Sequence, residues 1–193
     1  MDVQEATTRR LPDLKERHLP ENCREAVNTI LKETYGYEQF RNLEIYDDLS
    51  KGKGKLCISQ GQLIENVILE VEKAWKGETQ IDNILLTAPT GSGKSLLFQL
   101  PAIYLGKEYN LLTIVVSPLK ALIVDQVESL QELGYTRVAY ASSDLSPEQK
   151  MEVYRQVREG EIDLFYLSPE LLLSYDIKHF VGERRIGLVV VDE

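Results

Sequence analysis

Two spacings of apolar residues alternate along the chain, and the pattern changes near residue 81. Between Glu21 and Tyr35, the apolar or small residues Cys23, Ala26, Val27, Ile30 and Leu31 recur every three or four positions, which predicts a helix with one buried face; Gly36 supplies its stop. Leu63, Ile64, Val67, Ile68, Val71 and Trp75 repeat that spacing and predict a second helix over 60–76, ended by Gly77. From residue 81 onward, β-rich apolar runs alternate with helical stretches. The runs cover 84–88, 111–117, 137–141, 162–167 and 186–192. Helices are expected over 94–104, 120–133, 147–158 and 169–173, with a short one at 177–181. Thr113-Ile114-Val115-Val116 and Leu188-Val189-Val190-Val191 are apolar on both faces, as strands are when helices cover both sides of a parallel sheet. Strands joined by crossover helices predict an α/β fold with a doubly wound, mostly parallel sheet over 81–193. A helical extension over 1–80 precedes it, beginning with a polar tail broken by Pro12 and Pro20. The stretch 37–58 follows neither spacing, and its Lys51-Gly52-Lys53-Gly54-Lys55 run reads as a solvated turn or as a phosphate-contacting loop.

Candidate chemistry sits where the first run of the α/β part meets its helix. Ala88-Pro89-Thr90-Gly91-Ser92-Gly93-Lys94-Ser95 fits G-x-x-x-x-G-K-[ST] except that Ala88 takes the first position. Gly91 and Gly93 allow the backbone to curl so that its N–H groups, from Thr90 through Ser95, face phosphate oxygens. The positive end of the following helix favours the same anion. Lys94 offers a mobile point charge to the outer phosphates of ATP, and Ser95 a hydroxyl to Mg²⁺. At the far end, Val189-Val190-Val191-Asp192-Glu193 is an apolar strand ending in two acids. Ligands of open α/β sheets gather at the carboxyl ends of strands, so Asp192 is the candidate Mg²⁺ ligand through water. Glu193 is the candidate for orienting and deprotonating an attacking water.

Composition narrows the partners. The net charge is −9 at pH 7, which argues against a module that simply coats nucleic acid with lysines. Any strand contact must follow a local track. No apolar run approaches the ~18 residues of a membrane span, and Met1-Asp2-Val3-Gln4-Glu5 has neither a basic start nor an apolar h-region. Cys23 and Cys57 form no CxxC pair and read as reduced thiols. The expectation is a cytoplasmic or otherwise intracellular protein (nucleoid and nucleus included) without a membrane partner.

Several motifs in order resemble the first motor lobe of superfamily 2 helicases, and among these the RecQ-like DNA helicases. Ala88–Ser95 with Phe98-Gln99-Leu100-Pro101-Ala102 resembles motif I. Ser117-Pro118-Leu119-Lys120-Ala121-Leu122 with Asp125-Gln126 resembles motif Ia. Ser142-Ser143-Asp144-Leu145-Ser146, and then Leu164-Phe165-Tyr166-Leu167-Ser168-Pro169-Glu170, resemble the stretch ending in motif Ib. Asp192-Glu193 resembles the start of a DEAD/DEAH motif II. Upstream, Tyr37-Glu38-Gln39-Phe40-Arg41 and Gly61-Gln62 resemble the two halves of an adenine-reading segment, separated as though something had been inserted. The resemblance implies a RecA-like P-loop lobe, with Gln62 at the adenine edge, since an amide both donates and accepts. Arg41 either stacks on the base or is structural. It further implies that Ser117, Pro118, Leu119, Lys120, Ser142, Ser143, Asp144, Ser168, Pro169 and Glu170 line the strand path, DNA ahead of RNA. Leu171 departs from relatives that often carry arginine there, which removes one strand contact. Because residue 193 falls within motif II, the chain reads as an N-terminal piece of a longer helicase, expected to bind nucleotide weakly and to need a C-terminal lobe for turnover. Other expectations left open are an RNA helicase or duplex translocase of the same superfamily, and a nucleotide-dependent scaffold or switch.

Overall fold

The computed structural model describes residues 17–48, 53–86 and 91–192. The expected polar tail through residue 16, the Lys51-Gly52 step, the loop residues Ala88, Pro89 and Thr90, and Glu193 lie outside the described residues. The chain divides into two compact units: the described residues of Met1–Thr29 with Tyr37–Pro101, and Ile30–Gly36 with Ala102–Glu193.

Helix α1 (Glu21–Tyr35), whose residues divide between the two units after Thr29, begins after Pro20 and runs over the span its periodicity predicts. Gly36 follows it with φ +70°, the left-handed stop that glycine takes most readily. Strands β1 (Asn42–Asp48) and β2 (Lys53–Ser59) then form an antiparallel hairpin with Asn42 opposite Ser59 and Leu43 opposite Ile58. The sequence pattern gives no sign of this hairpin, and residues 53–55 of the expected turn are strand instead. Alternation in β1 is blurred by Glu44, Asp47 and Asp48, so no single face reads as apolar. Helix α2 (Gln60–Trp75) starts at a Ser59 N-cap whose side chain accepts from Gly61 N–H at 3.2 Å. Leu63, Ile64, Ile68 and Val71 are buried as its stripe requires, while Trp75 in the last turn is 44% exposed.

The polar side of α2 is used as well. Glu65 accepts from Leu19 N–H at 3.0 Å, and Leu19 itself is buried. Glu70 is nearly buried and receives Arg17 at 2.7 Å, Lys73 at 3.0 Å and the Asp82 N–H at 3.1 Å. Burial works to raise the Glu70 pKa, but the Asp82 amide and the two cations outweigh it and hold the carboxyl below the usual range. A depressed pKa contributes stability above the ordinary carboxylate pKa, and that stability is lost as pH falls through the folded value. Glu70→Gln is therefore expected to lower stability at pH 7 by about 1–3 kcal/mol. The gap in melting temperature should close as pH drops below ~4, and a gap that stays constant from pH 7 to pH 3 would contradict this account.

The second unit holds a four-stranded parallel sheet in the order β4-β5-β3-β6, formed by β3 (Leu112–Val116), β4 (Val138–Ala141), β5 (Leu164–Leu167) and β6 (Ile186–Val191). The α/β class with a parallel sheet is thus as expected. The predicted strand at 84–88 is not formed in its described part: residues 84–86 pair with no strand, and Leu85 is 93% exposed. An apolar run supplies strand propensity but not a ladder partner. β3 and β5 are buried throughout, whereas Val189 and Val191 on β6 are exposed.

Between the strands run α4 (Lys120–Glu132), α5 (Pro147–Glu159), α6 (Pro169–Ser174) and α7 (Ile177–Val181); α3 (Leu96–Tyr109) precedes β3. The start of α5 carries a capping box, Ser146 accepting from Gln149 N–H while the Gln149 side chain accepts from Ser146 N–H, and Gly160 ends the helix at φ +80°. Tyr154 meets Phe165 and Phe180 edge-on in the core, its centroid 5.1 Å from that of Phe180. Just before β5, Asp163 is fully buried and gathers Arg137, Arg184 and the Tyr135 hydroxyl. Gly106 makes room for it, since a Cβ there would stand 2.4 Å from the Asp163 carboxyl carbon.

Candidate functional site

The described part of the phosphate loop lies in the first unit. Gly91 and Gly93 have φ of +79° and +82°, the curled backbone that the loop pattern requires. Ser92, Gly93, Lys94 and Ser95 are half-buried and lead straight into α3: Leu97 N–H donates to Lys94 O and Gln99 N–H to Ser95 O, both at 2.9 Å. The loop therefore ends at a helix N-terminus, where orphan amides and the dipole favour an anion. Ser92 Oγ is buried and has no hydrogen-bond partner among the described residues.

The residue found against this loop is Gln60, which the sequence pattern did not single out. It opens α2, is 2% exposed, and donates from Nε2 to Ser92 O at 3.2 Å. Its Oε1 accepts from Arg41 N–H at 3.2 Å, and its own N–H donates to Arg41 O at 2.9 Å. Gln62, the predicted adenine reader, is half-buried one position beyond Gly61. The two glutamines differ only by a step across Gly61, and no sequence signal separates them. The exposed Arg41 side chain lies over the Tyr37 ring, 5.9 Å from its centroid.

The predicted strand-contact residues lie in the second unit, and the structure brings them together. Ser117 follows β3, Ser142 follows β4 and Ser168 follows β5, so the three segments leave the carboxyl ends of adjacent parallel strands. All three serines are buried; Pro118, Leu119, Lys120, Ser143 and Glu170 are exposed around them, with Pro169 half-buried. Lys120 Nζ donates to Ser143 Oγ and, at 2.9 Å, to Asp144 Oδ1. That ion pair holds the Asp144 carboxyl below its usual range. Glu170 also lies low: its own N–H and then the Ser168 hydroxyl lower it, and Lys120 adds to the effect. Ser168 caps α6 through Leu171 N–H, but α4 begins at Leu119 with no side-chain cap. Ser117 Oγ is buried without a partner among the described residues. Behind this edge, Tyr166 donates to Gln126 at 3.0 Å and ties α4 to β5. Leu171, where arginine was expected by resemblance, packs instead against the aromatic core.

Asp192 stands just beyond β6, half-buried, its N–H donating to Val116 O at 2.9 Å. Among the described residues no group of three or more His, Cys, Asp or Glu side chains is placed to hold a metal. Cys23 and Cys57 are free, and no described helix is long and apolar enough to cross a membrane.

Known proteins carry the same pattern. The DEAD/DEAH box helicase family matches residues 63–193. An "ATP-dependent DNA helicase RecQ" of Synechocystis sp. is 32% identical over 172 residues, covering 88% of this chain and 29% of that protein. An "ATP-dependent DNA helicase Q-like 5" of Arabidopsis thaliana is 39% identical over 56% of the chain and 11% of its own length. For "ATP-dependent DNA helicase RecQ" of Bacillus subtilis the identity is 37% over 58% of the chain and 18% of the relative. The chain thus spans less than a third of the length of these relatives.

Proposed function

We propose that this chain, which belongs to the DEAD/DEAH box helicase family and is RecQ-like, supplies nucleotide- and strand-handling residues of an ATP-dependent DNA helicase. The observation that carries the strand-handling half is the convergence of Ser117–Lys120, Ser142–Asp144 and Ser168–Glu170 at one edge of the sheet. Backbone amides, hydroxyls and a helix N-terminus bind phosphates without net positive charge, which reconciles strand binding with −9. The uncapped start of α4 offers its first amides to a strand phosphate. In the nucleotide half, Thr90 to Ser95 cradle the phosphates, Lys94 neutralises the outer ones, and Gln62 and Arg41 meet the base. Mg²⁺ supplies charge neutralisation of the phosphates when bound. Ser95 offers it a hydroxyl and Asp192 a carboxylate through water, while Glu193 takes the proton of the attacking water.

The test is ATP hydrolysis by the full-length protein with single-stranded DNA, single-stranded RNA and no polymer. Stimulation by DNA beyond that by RNA is expected. Preferential stimulation by RNA would replace the DNA assignment, and equal rates in all three would favour a nucleotide-dependent switch.

A further inference from the structure

Gln60 is a buried amide with both ends engaged, and its two partners come from segments far apart in sequence: the backbone of Arg41 and the backbone of Ser92. The contact with the loop is close. A Cβ on Gly93 would fall 2.7 Å from Gln60 Nε2, so the amide lies directly over that glycine. In a planar trans peptide the carbonyl of one residue and the N–H of the next point in opposite directions. Holding the Ser92 carbonyl toward Gln60 therefore fixes the Gly93 N–H away from it.

We propose that Gln60 is a positioning residue of the phosphate loop, which by gripping the Ser92 carbonyl turns the Gly93 N–H toward the bound phosphates and couples that peptide to the Arg41 segment. This rests on the nucleotide site proposed above and extends it with a role distinct from base reading. Gln60 never touches the base; it presets a loop that otherwise has two glycines' worth of backbone freedom to lose on binding. Its Arg41 contacts set where the amide sits, so the base side and the phosphate side of the site share one anchor.

The inference separates from base recognition by ligand. Gln60→Leu in the full-length protein should weaken Mg·ATP and Mg·inorganic triphosphate by the same factor, roughly tenfold, the worth of one hydrogen bond held in place. Gln60→Glu keeps the size and the acceptor for Arg41 N–H but, when ionised, cannot donate to Ser92; it should show the same parallel loss and serves if the leucine variant does not fold. A loss confined to ATP would overturn the proposal, because the amide would then act on the base. Undiminished affinity for both ligands in a folded variant would overturn it as well. Lys94→Ala is the reference: if the parent protein binds triphosphate no better than that variant, the nucleotide site itself is wrong and this inference falls with it.

Discussion

Lys94→Ala is expected to lower ATP turnover by the full-length protein roughly 10²–10³-fold, the usual scale for removing one preorganised charge or donor from a transition state. Stability should be unchanged. Lys94 sits half-buried where the phosphate loop passes into α3, and no described residue forms an ion pair with it. Removing its side chain thus deletes no ion pair among the described residues, while the positive φ of Gly93 and the helix start at Leu96 remain. Lys94→Arg should not restore turnover, since a forked guanidinium does not occupy the place of a compact ammonium. The measurement is steady-state ATPase activity alongside thermal unfolding. An alanine variant with more than a third of parental turnover would remove Lys94 from the mechanism; one that loses activity together with several degrees of melting temperature would make its role structural.

The largest effect on stability is expected at Asp163. Asp163→Ala should cost roughly 3–5 kcal/mol, because breaking a buried pair leaves its partner charged and uncompensated. Asp163 is fully buried and accepts from Arg137 at 2.6 and 2.8 Å, from Arg184 at 2.9 Å and from the Tyr135 hydroxyl at 3.2 Å. The Arg184 side chain is only 5% exposed and also donates to Val157 O and Ile162 O. Burial already lowers its pKa, and the Asp163 carboxylate is the main group opposing that. Arg137 is 42% exposed and can turn to water, so Arg137→Ala should cost clearly less. For a chain of this size the Asp163→Ala loss corresponds to a fall in melting temperature on the order of 10 °C. A fall under 2 °C would mean that the two arginines find water or another acceptor.

Much of this architecture is legible in the residues themselves. The stripe from Cys23 to Leu31 and the one from Leu63 to Val71 gave α1 and α2 nearly to the residue, because a one-sided apolar face leaves a helix few alternatives. The doubly apolar runs point to β3 and β6 as well; β3 is covered on both faces as such a run implies, whereas β6, at the end of the sheet, leaves Val189 and Val191 exposed. What escaped depends on partners distant in sequence. Residues 84–86 are as apolar as β6 yet pair with no strand, and β1 has strand geometry despite its acids because Lys53–Ser59 folds back on it. Within the candidate site, Ser117, Lys120, Ser142 and Ser168 are legible only through their resemblance to helicase motifs, and they lie just past the ends of adjacent strands. Gln60 is not legible, since only the return of the chain to Arg41 puts it rather than Gln62 against Ser92.

The hairpin of β1 and β2 lies within the first unit, setting out at Arg41 and coming back at Gln60, and there the two residues are zipped together by backbone and side-chain hydrogen bonds. A neck closed in this way insulates what lies below it from what lies above. The entropy of closing a longer or shorter excursion grows only slowly with its length, and the neck absorbs it before it reaches Ser92. In this chain, residues 44–57, short of the buried Ile58 and the Ser59 cap, are a natural position for trimming to a tight turn or for grafting a reporter domain.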